Sequence, residues 1–161
     1  MSKKVINVVF AGLGGQGVLK SSDILSAAAF EAGLDVKKAE VHGMSQRGGS
    51  VTSDVRFGED VQSPMVPAGE ADFLVVLEET QVEINRSVLS DDGVLISCEI
   101  IDENALPNAR SLNVALLGTL STYLDIDEKH WHAAIGANLP AKVHEANFEA
   151  FELGKKAAAD N

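Results

Sequence analysis

The chain is short of sulfur, of aromatic rings and of positive charge. A single cysteine, Cys98, stands among 161 residues. One thiol closes no intrachain disulfide, and it cannot supply the several thiolates that hold an iron–sulfur cluster. Cys98 ends the apolar run Gly93-Val94-Leu95-Ile96-Ser97, a setting that suits a buried structural thiol better than a nucleophile. Lys and Arg total 13 against 24 Asp and Glu, a formal charge of -11. Such a chain repels phosphate backbones and anionic lipid, so nucleic acid and membrane surfaces are not expected partners. No stretch has the length of a bilayer span, and the apolar run near Val5 is too short for a leader, so the expected location is the cytoplasm.

What is there reads as one globular domain. Hydrophobic residues make up 45% and charged residues 23%, an ordinary balance for a soluble core. Val5 to Ala11 reads as a buried strand, followed by a glycine turn and a helix over 16–32 that Gly33 ends. Its expected inner face is Val18, Ser22, Leu25, Ala29 and Ala32. Residues 35–42 form a second strand. Residues 50–57 alternate Val51, Ser53, Val55 and Phe57 with Thr52, Asp54 and Arg56. That period of two predicts an antiparallel or edge strand with one wet face. The run 71–78 is the clearest buried strand. A helix over 80–89, a turn at Ser90-Asp91-Asp92-Gly93, a strand over 94–98 and helices over 111–123, 127–135 and 141–156 complete the chain. Alternating strands and helices define an α/β fold: Rossmann-like, with a largely parallel twisted sheet and helices on both faces.

Gly12-Leu13-Gly14-Gly15-Gln16-Gly17 follows a strand and opens a helix, as a phosphate-cradling G-x-G-x-x-G turn must. A dinucleotide site also needs an acid at the end of the second strand for the ribose. Asp35 stands at the start of that strand and Glu40 near its end, so the match is half made. The turn reads more readily as a junction that needs glycine for geometry alone.

The most distinctive stretch is His42-Gly43-Met44-Ser45-Gln46-Arg47-Gly48-Gly49. It follows the second strand, at the edge where open α/β sheets bind ligands. Arg47 between glycines is a planar donor fork suited to carboxylate or phosphate, with Ser45 and Gln46 as neutral hydrogen-bonding neighbours. Ligand binding or contact with a neighbouring subunit is one reading; an ordinary turn with a solvated arginine is the other. Adjacent Glu78 and Glu79 read as a solvated loop start, and His130 and His132 as surface residues without a third ligand nearby. Asn147 lies on the apolar face of the last helix, where its amide bonds backbone or reaches a ligand. No catalytic group and no metal ligand is assigned.

The glycine turn at 12–17, the loop His42 to Gly49 and the following Val55-Arg56-Phe57-Gly58 together resemble the gamma-type subunit of 2-oxoacid:ferredoxin oxidoreductases, in a form most similar to the indolepyruvate enzymes. The likeness continues through Ala71-Asp72, Leu112-Asn113 and 147–154. It implies one pyruvate/ketoisovalerate oxidoreductase gamma-type domain over 1–161. It implies oxidative decarboxylation of an arylpyruvate with coenzyme A to an acyl-CoA and carbon dioxide, electrons passing to ferredoxin. Thiamine diphosphate, magnesium and iron–sulfur clusters would sit on a large partner subunit, and the isolated chain would be inactive. Whether the isolated chain forms a homo-oligomer is left open. Gly12, Gly14, Gly15, Gln16, Gly17, Ser45, Gln46, Arg47, Gly48, Gly49 and Asn147 are then the candidate cofactor-binding or intersubunit residues. A stand-alone Rossmann-type nucleotide-binding protein and a pure assembly module are the alternatives.

Overall fold

The protein is described here by a computed structural model that covers residues 5–42 and 49–160. Its strands are β1 (Val5–Leu13), β2 (Asp35–His42), β3 (Ser50–Gly58), β4 (Ala71–Val76) and β5 (Leu89–Ser97). Its helices are α1 (Val18–Glu31), the single turn α2 (Val82–Asn85), α3 (Leu112–Ser121), α4 (Glu128–Asn138) and α5 (His144–Ala159).

The strands form one five-stranded sheet in the order β2-β3-β1-β4-β5. β1 pairs parallel with β4, and β4 with β5. β3 runs antiparallel to both its neighbours, β1 and β2. The fold is Rossmann-like α/β, with a mixed sheet in which β3 alone opposes the common direction. The β1–α1–β2 connection leads to one side of β1, and the β4-to-β5 connection leads to the other. The carboxyl ends of β1 and β4 therefore flank a topological switch point, the usual ligand crevice of such sheets.

The two crossovers place helices on opposite faces, as right-handed connections running in opposite directions require. One face is thick. Val8, Phe10, Val55, Phe73, Val75 and Ile96 pack there with Ile24 and Leu25 of α1 and with buried residues of α3, α4 and α5. The other face is thin. Val9, Ala11, Leu74 and Val76 are covered there by Val82 of α2 and by Val66 of the connection between β3 and β4.

The expected alternation in β3 is present, and the strand is antiparallel; it is internal rather than an edge. Its polar residues face the β3–β4 connection. Asp54 accepts the Val66 N–H at 2.9 Å. Arg56 donates through Nε to Asn7 Oδ1 and through Nη1 to the Ser63 carbonyl, both at 2.8 Å. Asn7 Nδ2 in turn donates to the Glu70 carbonyl at 3.1 Å. Asp54 and Arg56, which period-two reasoning assigns to water, instead bond the backbone of a proline-containing loop.

Two expectations fail between β4 and β5. The helix over 80–89 is the single turn α2 between 3-10 turns at Glu79–Gln81 and Arg86–Val88. Ile84, its central apolar residue, is 67% exposed, so no second apolar stripe holds a longer helix to the sheet. Ser90 to Gly93 is no turn but the irregular first half of β5, where the pairing register shifts. A Cβ at Gly93 would lie 2.8 Å from the Ala71 carbonyl oxygen, so glycine marks a close strand approach.

α3 and α5 cross at unusual proximity. A Cβ on Gly118 would lie 2.0 Å from the Phe151 carbonyl oxygen, and one on Gly154 would lie 1.6 Å from that of Ala115. Thr119 Oγ1 donates to the Gly154 carbonyl at 2.6 Å across the crossing.

Candidate functional site

The carboxyl ends of β1, β4 and β5 open into a crevice of about 820 Å³. One wall is the glycine turn and the first turns of α1 and α3, with Gly15, Gln16, Gly17, Lys20, Arg110 and Asn113. Glu78, Glu79, Glu103 and Cys98 line the rest of the crevice.

The glycine turn is set by contacts that the sequence pattern does not reveal. Gly12 ends β1 where a Cβ would meet Val18 Cγ2 at 2.8 Å and Leu77 Cβ at 3.2 Å. Gly17 is the N-cap of α1 with φ 86°, a left-handed conformation that glycine adopts without penalty. The Gln16 amide oxygen folds back to accept the Leu13 N–H at 2.7 Å. The Gly14 N–H donates to the Gly49 carbonyl at 3.0 Å. That last bond extends the β1–β3 ladder by one rung. It joins the glycine turn to the end of the second distinctive loop.

These bonds bear on the dinucleotide reading. The N–H groups of Leu13 and Gly14 are already engaged within the protein, which leaves the first turn of α1 as the main run of outward donors. The ribose-binding acid is also misplaced. β3 lies between β1 and β2, so the end of β2 stands one strand spacing, about 4.8 Å, further from the turn than direct pairing would put it. Glu40 is engaged with Lys38, 3.3 Å away, and Lys38 also pairs with Asp23 of α1. Burial alone would lower the Lys38 ammonium, but these two carboxylates outweigh it and hold its pKa up.

What remains on the first wall suits an anion. α1 has no side-chain cap and no acid in its first turn, where Lys20 stands. α3 likewise begins without a side-chain cap or a first-turn acid, two residues after Arg110. A helix start normally favours acids, so a cation at two adjoining helix starts is a signal that the sequence carried at Lys20 and Arg110 and that motif reading passed over. Asn113 is a further missed residue; nothing in its spacing places it beside Gly17.

Cys98 is half-buried at the crevice floor. Burial pushes its thiol pKa up, the carboxylates of Glu78, Glu99 and Glu103 add to this, and a hydrogen bond with Ser97 opposes it. A thiol held protonated is a poor nucleophile.

The remaining candidates divide. Gly12, Gly14, Gly15, Gln16, Gly17 and Gly49 meet at this edge of the sheet. Ser45, Gln46, Arg47 and Gly48 lie outside the described residues. Asn147 does not line the crevice; its Nδ2 donates at 2.8 Å to the carbonyl of Val143, the residue that precedes its helix. Residues Glu128, His132 and Glu152 come within 4.8 Å of one another, which brings to His132 neighbours that sequence spacing did not show. Lys155 supplies the positive charge there, 2.6 Å from Glu128 and 3.7 Å from Glu152.

The strand order and the helices on both faces define an α/β domain of the Rossmann-like class. Residues 7–99 match the family described as pyruvate ferredoxin/flavodoxin oxidoreductase, and the chain belongs to that family. It is 32% identical over 197 aligned positions to an indolepyruvate oxidoreductase subunit of Thermococcus kodakarensis, with 98% of each chain covered. The alignment is longer than this chain, so the relative carries several dozen positions that are missing here. The fold is that of a keto/oxoacid ferredoxin oxidoreductase gamma subunit from Geobacter sulfurreducens, with a TM-score of 0.80, 20% identity and 98% coverage of both chains. It is also similar to part of a 2-oxoglutarate:ferredoxin oxidoreductase from Magnetococcus marinus solved with 2-oxoglutarate, coenzyme A and succinyl-CoA. There the TM-score is 0.82 at 22% identity, covering 99% of this chain and 32% of that one.

Proposed function

We propose that the chain is the small subunit of an indolepyruvate-type 2-oxoacid:ferredoxin oxidoreductase and that its crevice receives the phosphate-bearing end of coenzyme A. The carrying observation is the bond from Gly14 N–H to the Gly49 carbonyl. It ties the glycine turn, whose Gly15 to Gly17 share the crevice with Lys20 and Arg110, to Gly49, the last residue of the second family stretch. The overall reaction takes an arylpyruvate, coenzyme A and two oxidised ferredoxins to an arylacyl-CoA, carbon dioxide, two reduced ferredoxins and a proton.

The groups that break the carbon–carbon bond and carry electrons do not fit this chain. A single half-buried thiol with a raised pKa cannot hold an iron–sulfur cluster, so no step is assigned to such a group here. The large partner subunit supplies the thiamine diphosphate, magnesium and clusters. This chain's residues bind and orient the co-substrate. Lys20 and Arg110 neutralise phosphate charge, and the first-turn N–H groups of α1 donate to its oxygens. The crevice carboxylates repel phosphate and so set the direction in which it enters.

The test is reconstitution. Co-expression with the large subunit should give a complex that reduces ferredoxin or a viologen dye with indolepyruvate and coenzyme A. Lys20→Ala and Arg110→Ala should each raise the coenzyme A KM by roughly tenfold, as expected for loss of one charge-assisted bond. Full activity of the large subunit alone would refute the proposal. The nucleotide-binding alternative predicts saturable NAD(P) binding by this chain in calorimetry; the engaged N–H groups and the intervening β3 argue for none. An Arg47→Ala variant that weakened assembly while leaving the coenzyme A KM unchanged would favour the pure assembly module.

A further inference from the structure

Asn113 is a buried amide between two helix starts. It sits in the first turn of α3, is 6% exposed and lines the crevice. Its Nδ2 donates to the Gly17 carbonyl at 3.3 Å, and its Oδ1 accepts the Val114 N–H at 2.9 Å. The Gly17 carbonyl also accepts the Ser21 N–H and the Ser21 hydroxyl, each at 2.9 Å. Loss of one donor therefore leaves that oxygen satisfied, and the hydrogen bond alone does not explain the amide. The packing does. A Cβ on Gly17 would lie 2.6 Å from Asn113 Nδ2, so this side chain sets how near the starts of α1 and α3 approach. Lys20 stands on one of those starts and Arg110 beside the other.

We propose that Asn113 is a positioning residue for the anionic ligand of the crevice: it holds Gly17, and with it the spacing of the two cation-bearing helix starts, while keeping that wall free of negative charge. The inference rests on the coenzyme A reading above. A residue of the same shape that adds a negative charge separates this role from a merely structural one. Asn113→Asp keeps the volume and adds a carboxylate at two helix starts, but it also turns an oxygen instead of a donor toward the Gly17 carbonyl, so some stability is lost. The same charge opposes phosphate.

In the reconstituted complex, Asn113→Asp should raise the coenzyme A KM by roughly tenfold and leave kcat at saturating coenzyme A within about twofold, although the isolated chain melts at a lower temperature. A merely structural role would lower kcat and the yield of complex without moving KM. Gly17→Ala should also raise KM, and Gly17→Ala with Asn113→Ala should cost less than the sum of the two single changes, because removing the amide vacates the contact. An unchanged KM in Asn113→Asp, additive effects in the pair, or failure of Asn113→Asp to assemble would each overturn the inference. Absence of coenzyme A dependence in the wild-type complex would instead overturn the functional reading beneath it.

Discussion

The crossing of α3 and α5 gives a sharp test of the packing. Gly154→Ala offers a helix-propensity gain of about 1 kcal/mol. Against it, the new Cβ would stand 1.6 Å from the Ala115 carbonyl oxygen and 2.6 Å from its carbon. No rotamer relieves a clash with backbone, so the helices must part by more than an ångström. A gap of 0.5 to 1 Å already forfeits roughly a quarter to a half of a dispersion contact. Parting also stretches the buried bond from Thr119 to the Gly154 carbonyl, worth about 1 kcal/mol. Overpacking of this kind costs about 1–3 kcal/mol. The propensity gain and the lost hydrogen bond cancel, so the expected net loss is about 2 kcal/mol, a fall of roughly 4–8 °C in Tm. Gly136→Ala is the internal control. Its nearest neighbour is His144 Cε1 at 3.8 Å, so it should stabilise α4 by about 0.5–1 kcal/mol. Urea denaturation of the two variants beside wild type measures both. If Gly154→Ala matched Gly136→Ala, the close crossing would be refuted.

Three further outcomes follow from groups described above. Cys98 should alkylate more slowly than a free thiol at neutral pH, because burial raises its pKa; a rate equal to that of glutathione would contradict this. Burial also raises the Asp54 carboxyl, against the Val66 N–H and Arg56. Its contribution to stability is present below the unfolded carboxyl pKa and lost as pH rises through the folded value. Asp54→Asn should flatten that decline, read as urea midpoints across the weakly acidic range. Glu128 is held below its usual pKa by the Lys155 hydrogen bond, yet both groups are largely exposed. Lys155→Ala should therefore change stability by less than about 1 kcal/mol in a melting experiment.

Strand positions and fold class were legible because buried strands write themselves as short β-branched runs. Val8-Val9-Phe10 and Phe73-Leu74-Val75-Val76 needed no tertiary information. The helix after Gly17 was legible for the same reason, although Ile24 joins its inner face and Ala32 sits at its end. The place of β3 was not legible. Asp54 and Arg56 look solvated in the sequence, and only the packed loop reveals their backbone partners at Val66 and Ser63. The site was half legible. Glycine spacing marked the turn, but the back-folding of Gln16 and the wedge at Asn113 depend on contacts between residues far apart in the chain. Lys20 and Arg110 were visible as letters; their convergence depends on α1 and α3 starting at the same edge.

The insertion of β3 also has a consequence in time. β1 is the first strand to be synthesised, yet both its partners, β3 and β4, come after β2. Until residue 58 has emerged, β1 can complete neither of its ladders, and β2 has no partner either. Before then α1 can cover Val8 and Phe10 on one face, but the hydrogen-bonding edges of β1 and β2 stay unpaired until β3 joins both. Mutations in β3 should therefore slow folding more than mutations in β5.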